Sequence, residues 1–214
     1  MVSNRTLIVT GAFGLFAATL VGLGEFLLHF DPQARYAEGF SFLEGVTRDR
    51  ATLGHFLGVL GAPFYVVGAY HIYLMLRPAN EVLARVAGLT MAYGCIVGAV
   101  WIGSRATAVE IVAAGSIPEQ LELYELRYES LLSVVRLAVL LLSVIFVWLC
   151  LTGRSLYPRR MALLNPILLI VLAFVLFFTV PSVGKFIMPI ALNVAYFAMF
   201  SASLLISVKQ KNEG

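Results

Sequence analysis

Charge is scarce in this sequence. Only 13% of its 214 residues are charged, whereas about 25% are charged in a typical soluble domain, and 60% are hydrophobic with a mean hydropathy of +0.91. A composition this apolar excludes an intrinsically disordered chain and almost every soluble globular domain. The net charge is only +3 and the basic residues are spread along the chain, so nucleic acid is not expected as a partner. A membrane protein with short loops remains.

Cysteine and the common catalytic motifs are equally sparse. The two cysteines, Cys95 and Cys150, fall at different depths of two apolar runs, so the sequence predicts neither a disulfide nor a metal site from them. The chain has no Walker loop, dinucleotide fingerprint, zinc-protease His-Glu pair or Gly-x-Ser-x-Gly elbow. The common soluble enzyme classes are therefore excluded, and no cofactor is assigned.

Long apolar runs dominate what is present. A transmembrane helix needs roughly 20 mostly apolar residues to cross a hydrocarbon core about 30 Å thick. The sequence therefore predicts one all-α domain over residues 1–214, a polytopic bundle of six transmembrane helices at 7–30, 51–76, 83–104, 131–151, 162–180 and 187–208. The first run is longer than the apolar core of a signal peptide, about 7–15 residues, so it is expected to remain as the first helix.

The loops predict an orientation. With an even number of spans both termini share one side, and that side carries eight Lys and Arg residues against six on the other. Three of the eight, Arg154, Arg159 and Arg160, lie in one short loop. The positive-inside rule therefore predicts a multi-pass protein of the cell membrane with both termini cytoplasmic.

Small residues form rows along the predicted helices. Helices pack in membranes through such residues, so a row marks the face turned toward other helices. The row on the first helix ends on two polar residues: Gly11, Gly14, Ala18, Gly22, Glu25 and His29. The row on the third helix ends in the same way: Gly94, Gly98, Trp101 and Arg105. These polar side chains are therefore expected to face the bundle interior.

Five of the six predicted helices place polar side chains in or near the non-cytoplasmic half of the bundle. A charge at membrane depth costs at least about 2.5–3.5 kcal/mol and normally faces a partner or water. We therefore expect an outward-facing polar cavity, with Glu25 and Arg136 as natural ion-pair partners. The candidate ligand-binding residues are Glu25, His29, His55, Arg105, Arg136, Lys185 and Asn193. The loop of residues 31–50, which includes Phe40 and Phe42, is expected to cover this cavity as a lid.

The first functional hypothesis is a membrane-embedded binder or carrier of a small anionic or amphiphilic molecule. Three bases, Arg105, Arg136 and Lys185, against the single core carboxylate of Glu25 favour an anionic ligand group. The expected partners are the lipid bilayer and this small-molecule or lipid ligand. A homo-oligomer is left open.

Two alternatives use the histidines. An intramembrane enzyme would employ Glu25 with His29 or His55 as acid and base, or would hold a metal with all three. A haem-binding redox subunit would use His29 and His55 as axial ligands. The third histidine, His71, is predicted to belong to an aromatic–basic belt at the membrane interface, together with Tyr70, Tyr73 and Arg77. A purely structural role, in which charge pairs serve assembly with other subunits, is also open.

Overall fold

The structure is a computed structural model that describes residues 3–36, 39–115 and 118–212, with the backbone alone for 118–121 and 210–212. Every regular element of the described residues is a helix, which confirms the all-α prediction. Its α-helices are α1 (Asn4–His29), α2 (Arg48–Leu76), α3 (Glu81–Ala113), α4 (Pro118–Leu151), α5 (Pro166–Thr179), α6 (Pro181–Ile187) and α7 (Ala191–Asn212). Short 3-10 helices cover Ser41–Gly45, Arg159–Leu164 and Met188–Ile190.

Within the described residues, five helical stretches are long and apolar enough to cross a membrane. They are Asn4–His29, Arg48–Leu76, Glu81–Ala113, Glu122–Leu151 and Pro181–Lys209. Large apolar side chains on these helices are exposed, as expected for contact with lipid: Leu60, Leu89, Leu137 and Leu205 each expose more than 60% of their surface. A multi-pass bundle is thus supported by five spans of the predicted six.

The fifth predicted span, residues 162–180, is not confirmed. Its helix α5 has 14 residues and is about 21 Å long at 1.5 Å per residue, too short to cross a hydrocarbon core of about 30 Å. The Asn165 side chain accepts a hydrogen bond from the Leu168 amide and so fixes the first turn at Pro166. Pro181 disfavours helical geometry at Val180, whose φ of −134° and ψ of 71° end the helix.

Contacts at glycine hold α1 close to α2 and α7. A Cβ atom built on Gly24 would lie 2.6 Å from the Gly54 carbonyl oxygen, and one built on Gly54 would lie 2.7 Å from that of Gly24. Further along α1, a Cβ on Gly14 would overlap the ring of Phe200 of α7. Gly14 belongs to the predicted row on the first helix and lies at a close helix contact, as expected, whereas Gly24 lies outside that row and packs against α2.

Ion pairs order the loop between α1 and α2. The carboxylate of Asp31, which is 1% exposed, accepts hydrogen bonds from the Arg35 side chain and from the amides of Gln33 and Arg35. Arg35 also pairs with Glu44 at 2.6 Å, and Arg50 donates to two loop carbonyls. Burial alone raises the pKa of Asp31, but the bonds from Arg35 and the two amides outweigh it and hold that pKa below its usual value.

His71 is not an interface residue, and its predicted place in the aromatic–basic belt is wrong. It is fully buried between α1, α2 and α7, where its Nδ1 lies 3.1 Å from the Thr10 hydroxyl and its Nε2 lies 2.6 Å from the Ser203 hydroxyl. Ser203 is in turn 2.8 Å from the hydroxyl of Tyr157. We call Thr10, His71, Tyr157 and Ser203 the terminal-end network, because it lies at the end of the bundle that carries both chain termini.

Replacing Gly24 by alanine is expected to destabilise the bundle by about 1–3 kcal/mol, because the new methyl group overlaps the backbone of α2. Gly58 provides the control, since a Cβ there has no neighbour within 4 Å. Gly58→Ala should be neutral or slightly stabilising, because alanine is the better helix former. Thermal unfolding of the purified variants in detergent measures both effects. Equal melting temperatures for the two would contradict the packing described.

Replacing Asp31 by asparagine is expected to release Arg35 from its ion pair. The loss of about 1 kcal/mol of interaction free energy at this partly exposed pair should make the loop open more often and speed tryptic cleavage after Arg35 by roughly fivefold. Because the pKa of Asp31 is lowered, its stabilising effect is complete at neutral pH and is lost only as the pH falls through that lowered value. The exposed Asp49 is the control, and Asp49→Asn should leave this cleavage unchanged. Unaltered cleavage in the Asp31 variant would show that Asp31 does not order the loop.

Candidate functional site

A cavity of about 550 Å³ opens at the end of the bundle opposite the two termini, which we call the distal end. Residues of α1, α3, α4, α5, the α1–α2 loop, the segment before α7 and the first turn of α7 line it. One part is polar and lined by Glu25, His29, Tyr36, Trp101, Arg105 and Tyr128, and the rim carries Glu125, Glu129 and Arg136. The other part is apolar and lined by Leu132, Val135, Val139, Ile167, Ile170, Val171, Phe174 and Leu192.

A buried ion pair forms the floor of the polar part. The Arg105 Nη1 atom lies 3.1 Å from the Glu25 Oε1 atom, and their side chains are 0% and 5% exposed. Arg105 also donates from Nη2 to the Tyr128 hydroxyl at 3.0 Å. The guanidinium carbon lies 4.3 Å from the centre of the Trp101 ring, a cation–π arrangement. The single buried carboxylate of the site is thus already matched by a buried cation.

The second carboxylate oxygen of Glu25 extends this pairing to two more helices. The Asn193 side-chain amide donates to Oε2 at 2.6 Å, and the Asn193 oxygen accepts from the Tyr65 hydroxyl at 2.5 Å. One connected group therefore joins α1, α2, α3 and α7. Since removal of one partner of a buried ion pair leaves an uncompensated charge, such a group holds its helices in a fixed register.

The predicted pairing of Glu25 with Arg136 is wrong. Arg136 is 63% exposed and pairs at 3.2 Å with Glu129, seven residues earlier on the same helix. The rotation of α4 places Glu129 and Arg136 at the cavity rim, and the small-residue row on α3 that ends at Arg105 supplies the interior cation instead. The sequence did contain that signal, because the small-residue row on the third helix leads directly to Trp101 and Arg105.

His29 lies at the cavity with one ring nitrogen occupied. Its Nδ1 is 3.0 Å from the carbonyl oxygen of Pro189, and the centres of the Phe42 and Tyr36 rings are 4.4 Å and 5.3 Å from the centre of its own. A carbonyl can only accept, so Nδ1 carries a proton, and in the neutral ring Nε2 is then a hydrogen-bond acceptor. His29 is thus held in one orientation at the polar end.

The α1–α2 loop contributes aromatic side chains to the same end of the cavity, where a lid was expected. Phe40 and Phe42 both line the cavity. The ring centre of Phe40 lies 5.1 Å from that of Tyr124 and 5.3 Å from that of Tyr128, both edge to face. The two tyrosines stand four residues apart on α4, a spacing that places them on one helix face, and this was the available sequence signal for Tyr128.

Two of the seven predicted residues neither line the cavity nor bond to Glu25 at its floor. His55 faces α3, where its ring would be 3.2 Å from a Cβ on Gly103. The Lys185 ammonium lies 5.2 Å from the centre of the Phe186 ring. Of the other five, four line the cavity and Asn193 lies beneath it, bonded to Glu25. The seven candidate residues thus include much of the polar end of the cavity, but Trp101, Tyr128 and Tyr65 are not among them.

The described residues do not form the proposed metal or haem sites. No group of three His, Cys, Asp or Glu side chains in the described part of the chain is arranged to hold a metal ion. His55 is turned toward Gly103 while His29 is bonded to Pro189, so the two do not face one another as axial ligands. His71 has a partner at each ring nitrogen.

Replacing Arg105 by alanine is expected to destabilise the protein by about 3–5 kcal/mol, because Glu25 is left buried without its cation. Arg136→Ala, at the rim of the same cavity, is the matched control and should change stability by less than about 1 kcal/mol, as expected for an exposed pair. Thermal unfolding in detergent distinguishes the two. A melting temperature lowered equally by both substitutions would contradict the buried pair as the principal contact.

Comparison with known proteins identifies a family but no activity. No curated protein and no solved structure matches the chain. Residues 1–109 match a family model described as a family of unknown function (DUF6796). The matched segment is half of the chain and includes Glu25, His29, Trp101 and Arg105. The chain belongs to this family.

Proposed function

We propose that this protein binds, and as a carrier releases, an amphiphilic molecule at the distal cavity. The observation that supports this most directly is the division of one cavity into a buried polar end and an apolar wall. Its volume, about 550 Å³, lies within the roughly 300–1,000 Å³ typical of ligand pockets. A molecule with a polar headgroup and a hydrocarbon chain matches both parts.

The apolar part of the cavity suits the hydrocarbon chain of a ligand that comes from the bilayer. The Ile167 amide donates to the Ser143 hydroxyl at 3.3 Å and joins the start of α5 to α4. Beyond this bond the two helices provide opposite apolar walls of the cavity, with Val135 and Val139 on α4 and Ile170 and Phe174 on α5. A hydrocarbon chain between these walls would stay in contact with apolar groups along its length.

The charges favour an uncharged or zwitterionic headgroup over an anion. The sequence favoured an anion because it offers three bases and one core carboxylate. In the structure Arg105 is paired with Glu25 and Arg136 is paired with Glu129. The third base, Lys185, lies outside the cavity lining. The lining contains the three carboxylates of Glu25, Glu125 and Glu129. An added anion would therefore meet repulsion without an unpaired cation in the lining.

Binding is better supported than acid–base catalysis by Glu25. Both of its oxygens already accept hydrogen bonds, one from Arg105 and one from Asn193. A general base must reach the proton that it removes, and this carboxylate is engaged at the floor of the site.

We further infer that the distal end faces the outside of the cell membrane and that both termini are cytoplasmic. The side of the termini carries the greater number of Lys and Arg residues, including the three in the loop that precedes α5. The positive-inside rule retains such loops in the cytoplasm.

Binding can be followed through Trp101, which lines the cavity. The second tryptophan, Trp148, is 64% exposed, so a Trp148→Phe background leaves Trp101 as the single emitter. Monoolein titrated into this protein in phosphatidylcholine nanodiscs is expected to change the emission saturably. Val135→Phe, which fills the cavity, should weaken binding at least about tenfold, as expected for roughly 1.4 kcal/mol.

Val144→Phe is the matched control, because Val144 is 58% exposed on the same helix and lies outside the cavity lining. It should bind monoolein like the parent. The proposal fails if the parent shows no saturable change, or if the two phenylalanine variants bind monoolein equally well.

A further inference from the structure

The polar end of the cavity contains hydrogen-bonding groups that the protein leaves unused. Three buried side-chain nitrogens of the described residues have no hydrogen-bond partner: Nδ1 of His55, Nε1 of Trp101 and Nε of Arg105. His55 lies outside the cavity lining, whereas Trp101 and Arg105 belong to its polar end. Both residues line the cavity; Trp101 is 9% exposed and Arg105 is fully buried. Buried N–H groups are nearly always paired in proteins. The guanidinium carbon of Arg105 lies 4.3 Å from the centre of the Trp101 ring, so these two unpaired donors belong to residues in contact with each other, and a ligand in the cavity is a candidate source of the missing acceptor.

An unused acceptor lies at the same end. His29 donates from Nδ1 to the Pro189 carbonyl, which leaves Nε2 as an acceptor in the neutral ring. Within the described part of the chain no side chain or amide donates to this nitrogen. His29 also lines the cavity, and its ring is held by Phe42 and Tyr36.

The charged groups of the site are, by contrast, already engaged. Arg105 uses both terminal nitrogens on Glu25 and Tyr128, and the Glu25 carboxylate has a donor at each oxygen. A charged headgroup would therefore add a charge to a balanced pair inside a poorly screened cavity. An uncharged group that accepts and donates hydrogen bonds avoids this penalty.

We propose that the cavity recognises an uncharged hydroxyl headgroup, whose proton is donated to His29 and whose oxygen accepts from Trp101 and Arg105. The ligand class is an aliphatic alcohol or a neutral lipid with a free hydroxyl. This inference rests on the proposed function and specifies its headgroup.

Four probes with the same twelve-carbon chain test the assignment, again with Trp101 emission in the Trp148→Phe background. They are 1-dodecanol, 1-methoxydodecane, dodecanoate and dodecylamine. The methyl ether keeps the acceptor oxygen but has no proton for His29. Dodecanol is expected to bind about tenfold more tightly than the ether and than either charged probe, because a site built to pair with a hydroxyl rejects an analogue that leaves its polar group unpaired.

Variants at His29 identify the residue responsible. His29→Phe should reduce the affinity for dodecanol to that for the ether, while the affinity for the ether stays unchanged. His29→Gln, whose amide can donate to Pro189 and accept with its oxygen, should restore part of the preference. His55→Phe is the matched control, because His55 lies outside the cavity lining and packs on α3. It should leave both affinities as they are.

The outcomes separate the two proposals. If dodecanol, the ether and monoolein all fail to bind, the proposed function falls, and the headgroup assignment with it. If alcohol and ether bind equally, or if dodecanoate or dodecylamine binds most tightly, the hydroxyl assignment is wrong while the binding function stands. An equal loss of alcohol and ether in His29→Phe, without recovery in His29→Gln, would show that His29 supports the fold and does not recognise the hydroxyl.

Discussion

The buried ion pair of Glu25 and Arg105 determines how the helices are arranged at the distal end of the bundle. Two charges that are almost completely removed from solvent need each other and further hydrogen bonds. Here Asn193 binds the second carboxylate oxygen of Glu25 and Tyr128 binds the second terminal nitrogen of Arg105, which leaves only the Arg105 Nε without a partner among the described residues. Meeting that requirement fixes α1, α3, α4 and α7 relative to one another at the distal end. Close approach at Gly24 and Gly54 brings α2 against the same group. The residues that pair with Glu25 and Arg105 thus also form or adjoin the polar end of the cavity.

The same neutralisation shapes what the cavity can bind. The full charges are engaged with one another, and the groups that remain are neutral: an indole N–H, one guanidinium N–H of an arginine that is already paired, and an imidazole nitrogen. Selectivity is then expected to come from hydrogen-bond directionality and from the length of apolar wall that a chain can cover, rather than from charge. Bilayer lipids and their metabolites provide many molecules of that description.

The sequence predicts the helical nature and much of the polar end, and the reasons for its failures are specific. Hydropathy shows which segments avoid water, and the rows of small residues show which helix face packs against other helices. Glu25, His29 and Arg105 continue those rows, so the sequence places them correctly at the interior. Hydropathy and these rows do not report how each helix is rotated around its axis, and Arg136 accordingly lies at the rim. Nor does hydropathy detect that Asn165 and Pro181 limit α5 to 14 residues, about two thirds of the length of a full span. His71 was misplaced because its partners come from distant parts of the chain.

The terminal-end network has a mechanical consequence. Thr10, His71, Tyr157 and Ser203 bond α1, α2, α7 and the α4–α5 connection together with short contacts, whereas α5 reaches the other end as a short helix bounded by prolines. The stiffness of the molecule is therefore uneven along the membrane normal. If the proposed ligand enters and leaves by this cavity, we expect the hydrogen-bonded terminal end to keep its arrangement and α5 and α6 to be the elements that move.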